Sequence, residues 1–312
     1  MSSNVQKIVV LGGSSLSNDS FCDDGRSLGG SLAQSGHQVI IPGQADGVKG
    51  DVALGALYQQ GIVVNVYPDP GAAPNEPHQK SLNDDLINNV MVDGRKGVKK
   101  SLDNRADVAV LMAGGLEELD QATHLMRRGT PMIIVNDSNY YDGLVEQIEA
   151  IKRSSLTHQF SGDHLAHIHV VSDIDEVMPI IELYKAVGTP EYDYAEKWSE
   201  AKAEDRAVRP ERDDKTPGFT NRGGRNMLSN DAGIVALDRA TTALMEQRSV
   251  PLLVDNSEDF YDGLLAQFDT YIDEGAERES VFKNVSIKVG ASSIPTLYID
   301  SGDELDFLQH AL

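Results

Sequence analysis

Residues 106–136, ADVAVLMAGGLEELDQATHLMRRGTPMIIVN, decide the fold. An apolar run, ADVAVLM, ends on a glycine corner, the segment LEELDQATHLMRRG follows, and PMIIVN is a second short apolar run. Apolar runs of this length, bounded by glycine and proline, read as strands buried on both faces. Strand, helix and strand in that order make a βαβ unit, which pairs its strands in parallel. The pattern recurs upstream, where VQKIVVLG (5–12), HQVIIP (37–42) and GIVVNVYP (61–68) are three further strands. Helices are expected over 25–36 and 51–60, and a polar helix over 83–102. The expected class is therefore α/β, a Rossmann-like doubly wound parallel sheet whose ligand sites lie in corners at the carboxyl edge.

Part of this pattern occurs a second time. LDQATHLMRRGTPMIIVNDSNYYDGLVEQI (119–148) is echoed by LDRATTALMEQRSVPLLVDNSEDFYDGLLAQF (237–268). Leu119, Asp120, Ala122 and Thr123 match Leu237, Asp238, Ala240 and Thr241 at an offset of 118. Beyond two single-residue insertions the offset is 120, pairing Pro131 with Pro251 and Tyr141-Asp142-Gly143-Leu144 with Tyr261-Asp262-Gly263-Leu264. Tyr298–Leu308 likewise echoes Val170–Pro179. Nothing in the second half matches the first three strands, so the fold is expected to carry a truncated C-terminal repeat of its second half. The expected division is a first domain over 1–186, a charged linker over 187–224 with one short helix near Trp198, and the truncated repeat over 225–312.

Length and composition narrow the function. The chain has 312 residues, 40% of them hydrophobic, which suits a buried core and two domains. One cysteine, Cys22, excludes an internal disulfide and fits a reducing, cytoplasmic setting; no signal-peptide layout or membrane span is read. With 49 acids against 27 bases the net charge is −22, which opposes nucleic acid or an anionic membrane as partner. Such an excess repels itself over a screening length of ~8 Å at physiological ionic strength. The melting temperature is therefore expected to rise with added monovalent salt; a flat or falling trend would show that the acids are compensated locally.

Several small motifs can carry chemistry. Gly12-Gly13-Ser14-Ser15 after the first strand is a small-residue turn suited to an anion at a helix N-terminus, or needed only for chain reversal. It is not G-x-G-x-x-G, so a dinucleotide site is not expected. Gly94-Arg95-Lys96 offers a guanidinium to phosphate, or forms a solvated basic patch with Lys99 and Lys100. Gly114-Gly115 followed by Glu117-Glu118 lets a phosphate or sugar approach the backbone, although acids in a first helical turn also complement the helix dipole. The second copy has Asp231–Ala236 in place of this corner. The histidines, including His164, His167 and His169, show no metal-ligand spacing.

The order of these motifs resembles the Lonely Guy (LOG) family of nucleoside 5′-monophosphate phosphoribohydrolases. The resemblance covers residues 5–180. It rests on Gly13-Ser14-Ser15, the glycine loop Gly43–Gly50 with Gly47, Met91 ahead of Arg95-Lys96, the Gly114-Gly115 corner, and Asn139–Leu144. It implies hydrolysis of an N-glycosidic bond to base and ribose 5-phosphate, with no metal or redox cofactor. Glu118 and Arg95 fall on the family's pair at that bond, with Glu117 beside them. Gly13, Ser14, Ser15, Gly47, Lys96, Gly114 and Gly115 fall around the phosphate. The family reads Pro-Gly-Gly-x-Gly-Thr-x-x-Glu where this chain has Ala113-Gly114-Gly115-Leu116-Glu117-Glu118, so the Gly-Thr is missing. In the second loop Gln44 replaces a glycine, and Lys49 a methionine.

Two functions follow, a phosphoribohydrolase and a catalytically inactive relative serving ligand sensing or assembly. Family members pair as dimers through helices of this half. The resemblance thus implies that the second copy imitates a dimer partner inside one chain, with Leu237, Leu244, Leu264 and Phe268 at the seam, and leaves a homo-oligomer open.

Overall fold

The computed structural model describes residues 5–13, 19–43, 45–69, 87–153 and 165–187, and beyond these residues 227–228, 252–255, 263–264, 266–267, 270, 285–289 and 295–299. Ser14, Ser15, His164, the linker with Trp198, and Leu237, Leu244 and Phe268 lie outside them. The chain forms two compact units, 1–142 with 166–190, and 143–165 with 191–312.

The first unit is built on seven strands: β1 (Lys7–Leu11), β2 (Gln38–Pro42), β3 (Ile62–Pro68), β4 (Asn88–Val92), β5 (Val108–Leu111), β6 (Met132–Val135) and β7 (Ile168–Val171). They lie in the order β4-β3-β2-β1-β5-β6-β7, and every pairing is parallel. Residues 8–11 of β1 and 108–111 of β5 are fully buried, as central parallel strands require. The chain steps outward from β1 to β4, then returns to the other side of β1 at β5. That reversal marks the β1/β5 crevice as the switch point where such folds take ligands.

Helices α1 (Asp19–Gln34), α2 (Gly47–Tyr58), α3 (Gly94–Asp103) and α4 (Leu116–Arg127) connect the strands, α5 (Asp142–Arg153) follows β6 in the chain and falls in the second unit from residue 143 on, and α6 (Val177–Val187) follows β7. Three boundaries differ from the sequence reading. The expected helix over 83–102 is in fact strand β4 followed by α3 from Gly94. β4 is an edge strand with Asn88, Asn89 and Met91 exposed, so it lacks the apolar signature that reveals its buried neighbours. α1 starts at Asp19 rather than near 25, and α2 starts at Gly47, which draws Lys49 out of the loop and onto a helix.

In the second unit, β8 (Met227–Leu228), β9 (Leu252–Asp255), β10 (Val285–Val289) and β11 (Pro295–Ile299) form a sheet ordered β10-β11-β9-β8. β8 and β9 pair in parallel, as β5 and β6 do. β11 runs antiparallel to both β9 and β10, whereas β7 is parallel to β6. The echo of Val170–Pro179 in Tyr298–Leu308 therefore does not extend to strand direction. The intervening strand β10 turns back into β11 and reverses it. No helix among the described residues is long and apolar enough to cross a membrane.

Candidate functional site

The exits of β1 and β5 are stitched together at the switch point. Met112 N–H donates to the Leu11 carbonyl (2.8 Å), and Gly13 N–H to the Ala113 carbonyl (2.8 Å). Val48 N–H then donates to the Gly13 carbonyl (3.0 Å), which seats the first turn of α2 on the end of β1. A side chain at Gly12 would press on Val48 Cγ1 (3.1 Å) and Lys49 N (3.3 Å). The turn after β1 is therefore built for close approach of α2 as well as for chain reversal.

α4 leaves the β5 corner with Gly115 as N-cap. Glu118, in the first turn, reaches back so that its Oε2 accepts from Gly115 N–H (2.9 Å). With glycine at the cap only the glutamate half of a capping box forms. The other carboxylate oxygen, Oε1, lies 3.4 Å from Lys49 Nζ. Lys49 is 2% exposed and Glu118 4%, so this ion pair is buried. Burial pushes the Glu118 carboxyl above its ordinary value of 4.5; Lys49 and the Gly115 N–H oppose the rise, and Glu117 adds to it.

Around this pair stand the remaining groups of the crevice. A Cβ on Gly43, at the end of β2, would lie 3.4 Å from Lys49 Nζ and 3.9 Å from Glu117 Oε1. Gly43 has φ +78°, a conformation that favours glycine. Glu117 is exposed and accepts from Gln121 Nε2 (3.3 Å). From the β6 side, Tyr141 donates its hydroxyl to the Met112 carbonyl (2.7 Å) and Tyr140 to the Gly114 carbonyl (3.0 Å). These two phenols pin the glycine corner from below. Tyr140 also packs edge-on against Phe21 of α1, with centroids 5.8 Å apart.

The residues singled out by sequence are not all equally close. Glu118, Glu117, Gly114, Gly115 and Gly13 share the corner, and Gly47, with φ +55°, opens α2 two residues before Lys49. Arg95 and Lys96 are exposed near the start of α3. One turn further on, Lys99 Nζ pairs with Asp120 (2.6 Å), and Asp103 pairs with His124 (3.0 Å). Both pairs have the same sequence separation, so α3 and α4 run side by side in the same direction. That register sets Arg95 level with the first turn of α4. Lys49 is the residue that the motifs did not single out as a site residue, because a lysine in a glycine loop ordinarily points to solvent.

Charge is uneven along the crevice. Asp24 of α1 is raised above its ordinary value by burial, then by Asp137 after β6 and by Asp173 after β7. These acids disfavour an anion at the β6–β7 end, whereas beside Lys49 the ammonium is offset by Glu118. His169 Nε2 and His167 Nδ1 lie 2.7 and 3.4 Å from the Tyr184 hydroxyl, away from this crevice.

No protein-family model matches the chain, and no curated protein matches it significantly. Among solved structures it is similar to the molybdenum cofactor carrier protein MCP from Chlamydomonas reinhardtii, at 16% identity and a TM-score of 0.45, over 58% of this chain and 99% of that one. The protein TM1055 is similar at 23% identity and a TM-score of 0.43, over 57% of this chain and 99% of that one. The molybdenum cofactor binding protein from the phototrophic bacterium Rippkaea orientalis is similar at 16% identity and a TM-score of 0.42, over 57% and 96%. These likenesses concern the fold alone.

Proposed function

We propose that this chain binds a small phosphorylated ligand of the nucleoside 5′-monophosphate class in the β1/β5 crevice, in keeping with its resemblance to the LOG family, and holds it without cleaving it. The observation that carries this reading is the state of Glu118. One of its oxygens accepts from Gly115 N–H and the other faces Lys49. A carboxylate that stabilises an oxocarbenium-like transition state must be free to face the sugar. Two N–H groups of the corner, those of Gly13 and Gly115, are already bonded within the protein. What supports phosphate binding is the dipole at the N-terminus of α4, whose acid Glu118 is already offset by Lys49.

Glycosidic hydrolysis is the second reading, and the level placement of Arg95 with the first turn of α4 favours it. Glu118 and Arg95 would then act at the glycosidic bond, Glu117 would orient water, and Lys96 would join the phosphate contacts. The test is titration with a panel of nucleoside monophosphates and their nucleosides, followed by calorimetry, with free base measured by chromatography in parallel. Saturable binding that weakens when the phosphate is absent, without release of base, is expected. Release of base that Glu118→Gln abolishes would replace the first reading with the second. Absence of binding by every nucleotide would overturn both.

A further inference from the structure

β7 carries two histidines that the crevice does not use. His169 lies within the strand, and His167 immediately precedes it, its carbonyl already accepting from Met132 N–H of β6 (3.0 Å). Residues two apart along a strand share a face. On a helix or a loop the same spacing would not bring the rings together, so the sequence alone gives no metal signal here. In the fold both imidazoles meet Tyr184 of α6 edge-on, with ring centroids 6.2 Å (His167) and 5.6 Å (His169) from the phenol ring. The Tyr184 hydroxyl lies 2.7 Å from His169 Nε2 and 3.4 Å from His167 Nδ1.

The two contacts are unequal. A neutral phenol has one proton to give, so it bonds well to one imidazole and must accept from the other. The 3.4 Å contact to His167 is longer than a good hydrogen bond. Three donor atoms nevertheless converge. A tetrahedral Zn2+ with ligands at about 2.0–2.1 Å holds its donors about 3.3 Å apart. The His167–Tyr184 separation already has that value, and the His169–Tyr184 separation needs to open by roughly 0.6 Å. Replacing the shared proton by a metal ion calls for such an opening. Tyr184 is buried, but the imidazoles are half-buried and β7 is an edge strand with β6 as its one neighbour in the sheet, so an ion has access to them.

The donor set also selects the ion. Imidazole nitrogens suit Zn2+, Cu2+ and Ni2+, whereas Mg2+ and Ca2+ require oxygen ligands. Among the described residues no group of three His, Cys, Asp or Glu can hold a metal, so the third donor here is the phenol. Three protein donors leave a fourth position for water. The chain's net charge of −22 draws cations toward it. We propose that His167, His169 and Tyr184 bind one divalent transition-metal ion of the imidazole-preferring class, Zn2+ or Cu2+, which clasps β7 to α6. Tyr184 binds as the phenolate and releases one proton per ion.

The full-length protein, stripped of metal with a chelator, tests this by calorimetric titration with Zn2+ in excess Mg2+, which occupies carboxylate sites. One Zn2+ per chain is expected, together with a melting temperature that rises with Zn2+ concentration. His167→Ala and His169→Ala should each weaken binding by at least about tenfold, since loss of even a supporting group has that effect. Tyr184→Phe should weaken it and abolish the proton release, read from titrations in buffers of different ionisation enthalpy. Titration with Cu2+ should give a phenolate-to-copper absorption band that Tyr184→Phe removes. Zn2+ binding that Mg2+ abolishes, or that all three folded variants retain, would overturn the proposal. Where the variants fail to fold, spin resonance of the wild-type protein with one equivalent of Cu2+ decides. Coupling to two nitrogen donors is expected, and a spectrum of oxygen donors alone would overturn the site.

Discussion

Lys49→Met is expected to cost about 3–5 kcal/mol of folding stability at neutral pH, the usual range when one member of a buried ion pair is removed. The substitution keeps the volume of the lysine stem but leaves Glu118 charged, 4% exposed, and with Gly115 N–H as its remaining partner among those described. Adding Glu118→Gln should recover most of the loss, because a neutral amide still accepts from Gly115 N–H and no buried charge remains. The effect also depends on pH in a definite direction. Glu118 is held above 4.5 because burial outweighs Lys49 and the capping N–H. Without Lys49 the carboxyl moves higher still. A carboxyl raised in the folded state contributes stability that is fully present below its unfolded value and is lost as pH rises through its folded value. The penalty in Lys49→Met should therefore shrink on acidification from neutral pH toward 4.5, the carboxyl's ordinary value. Urea unfolding of wild type, single and double variants across that range measures it. Equal stability of wild type and Lys49→Met at neutral pH would show that another cation, with Arg95 the first to examine, holds Glu118.

That test bears on what a sequence can and cannot disclose here. The buried strands β1, β2, β3, β5 and β6 were legible because a strand covered on both faces must be apolar along its length, and punctuation by glycine and proline marks its ends. β4 was not, because an edge strand with one neighbour has no need of a continuous apolar run. The Gly114-Gly115 corner and Glu118 were legible as a motif, since backbone approach and a first-turn acid both leave a local signature. The partner of Glu118 was not. Lys49 is 69 positions away, and its burial follows from the way α2 is seated on the end of β1. Short-range pattern carries no information about that closure. Conversely, Arg95 was prominent in the motif, whereas its placement depends on the parallel register of α3 and α4, visible only through Lys99–Asp120 and Asp103–His124.

The repeat teaches the same lesson from the other side. The offset of 120 between Gly143-Leu144 and Gly263-Leu264 was legible as similarity. That Gln147 and Gln267 accept from Leu264 N–H and Leu144 N–H, each in the other segment, is a property of packing alone.

Two adjacent glycines in α1 should respond to the same substitution with opposite signs, and the larger effect bears directly on the Lys49–Glu118 pair. α1 and α2 cross backbone to backbone. A Cβ on Gly29 would collide with the Val52 carbonyl oxygen and lie 3.0 Å from Ala56 N. One on Gly55 would collide with the Arg26 carbonyl oxygen, and one on Gly25 would lie 2.8 Å from that of Val48. These atoms belong to helical backbone and cannot swing aside as a side-chain end can. Replacing glycine by alanine inside a helix gains up to about 1 kcal/mol in propensity. Overpacking a rigid contact costs typically about 1–3 kcal/mol and occasionally more. At Gly29 the clash is with main chain, so the cost wins, and Gly29→Ala is expected to destabilise by about 3 kcal/mol. Relief of the clash requires α2 to move off α1, which carries Lys49 away from Glu118 and should reproduce the acid-recoverable loss of Lys49→Met. At Gly30 a Cβ would meet nothing closer than 3.7 Å. Gly30→Ala should therefore stabilise, by up to about 1 kcal/mol. Thermal and urea unfolding of the two variants side by side provide the measurement. Equal effects at the two positions would mean that α1 and α2 do not cross at Gly29, and that Lys49 is held in place by something other than this contact.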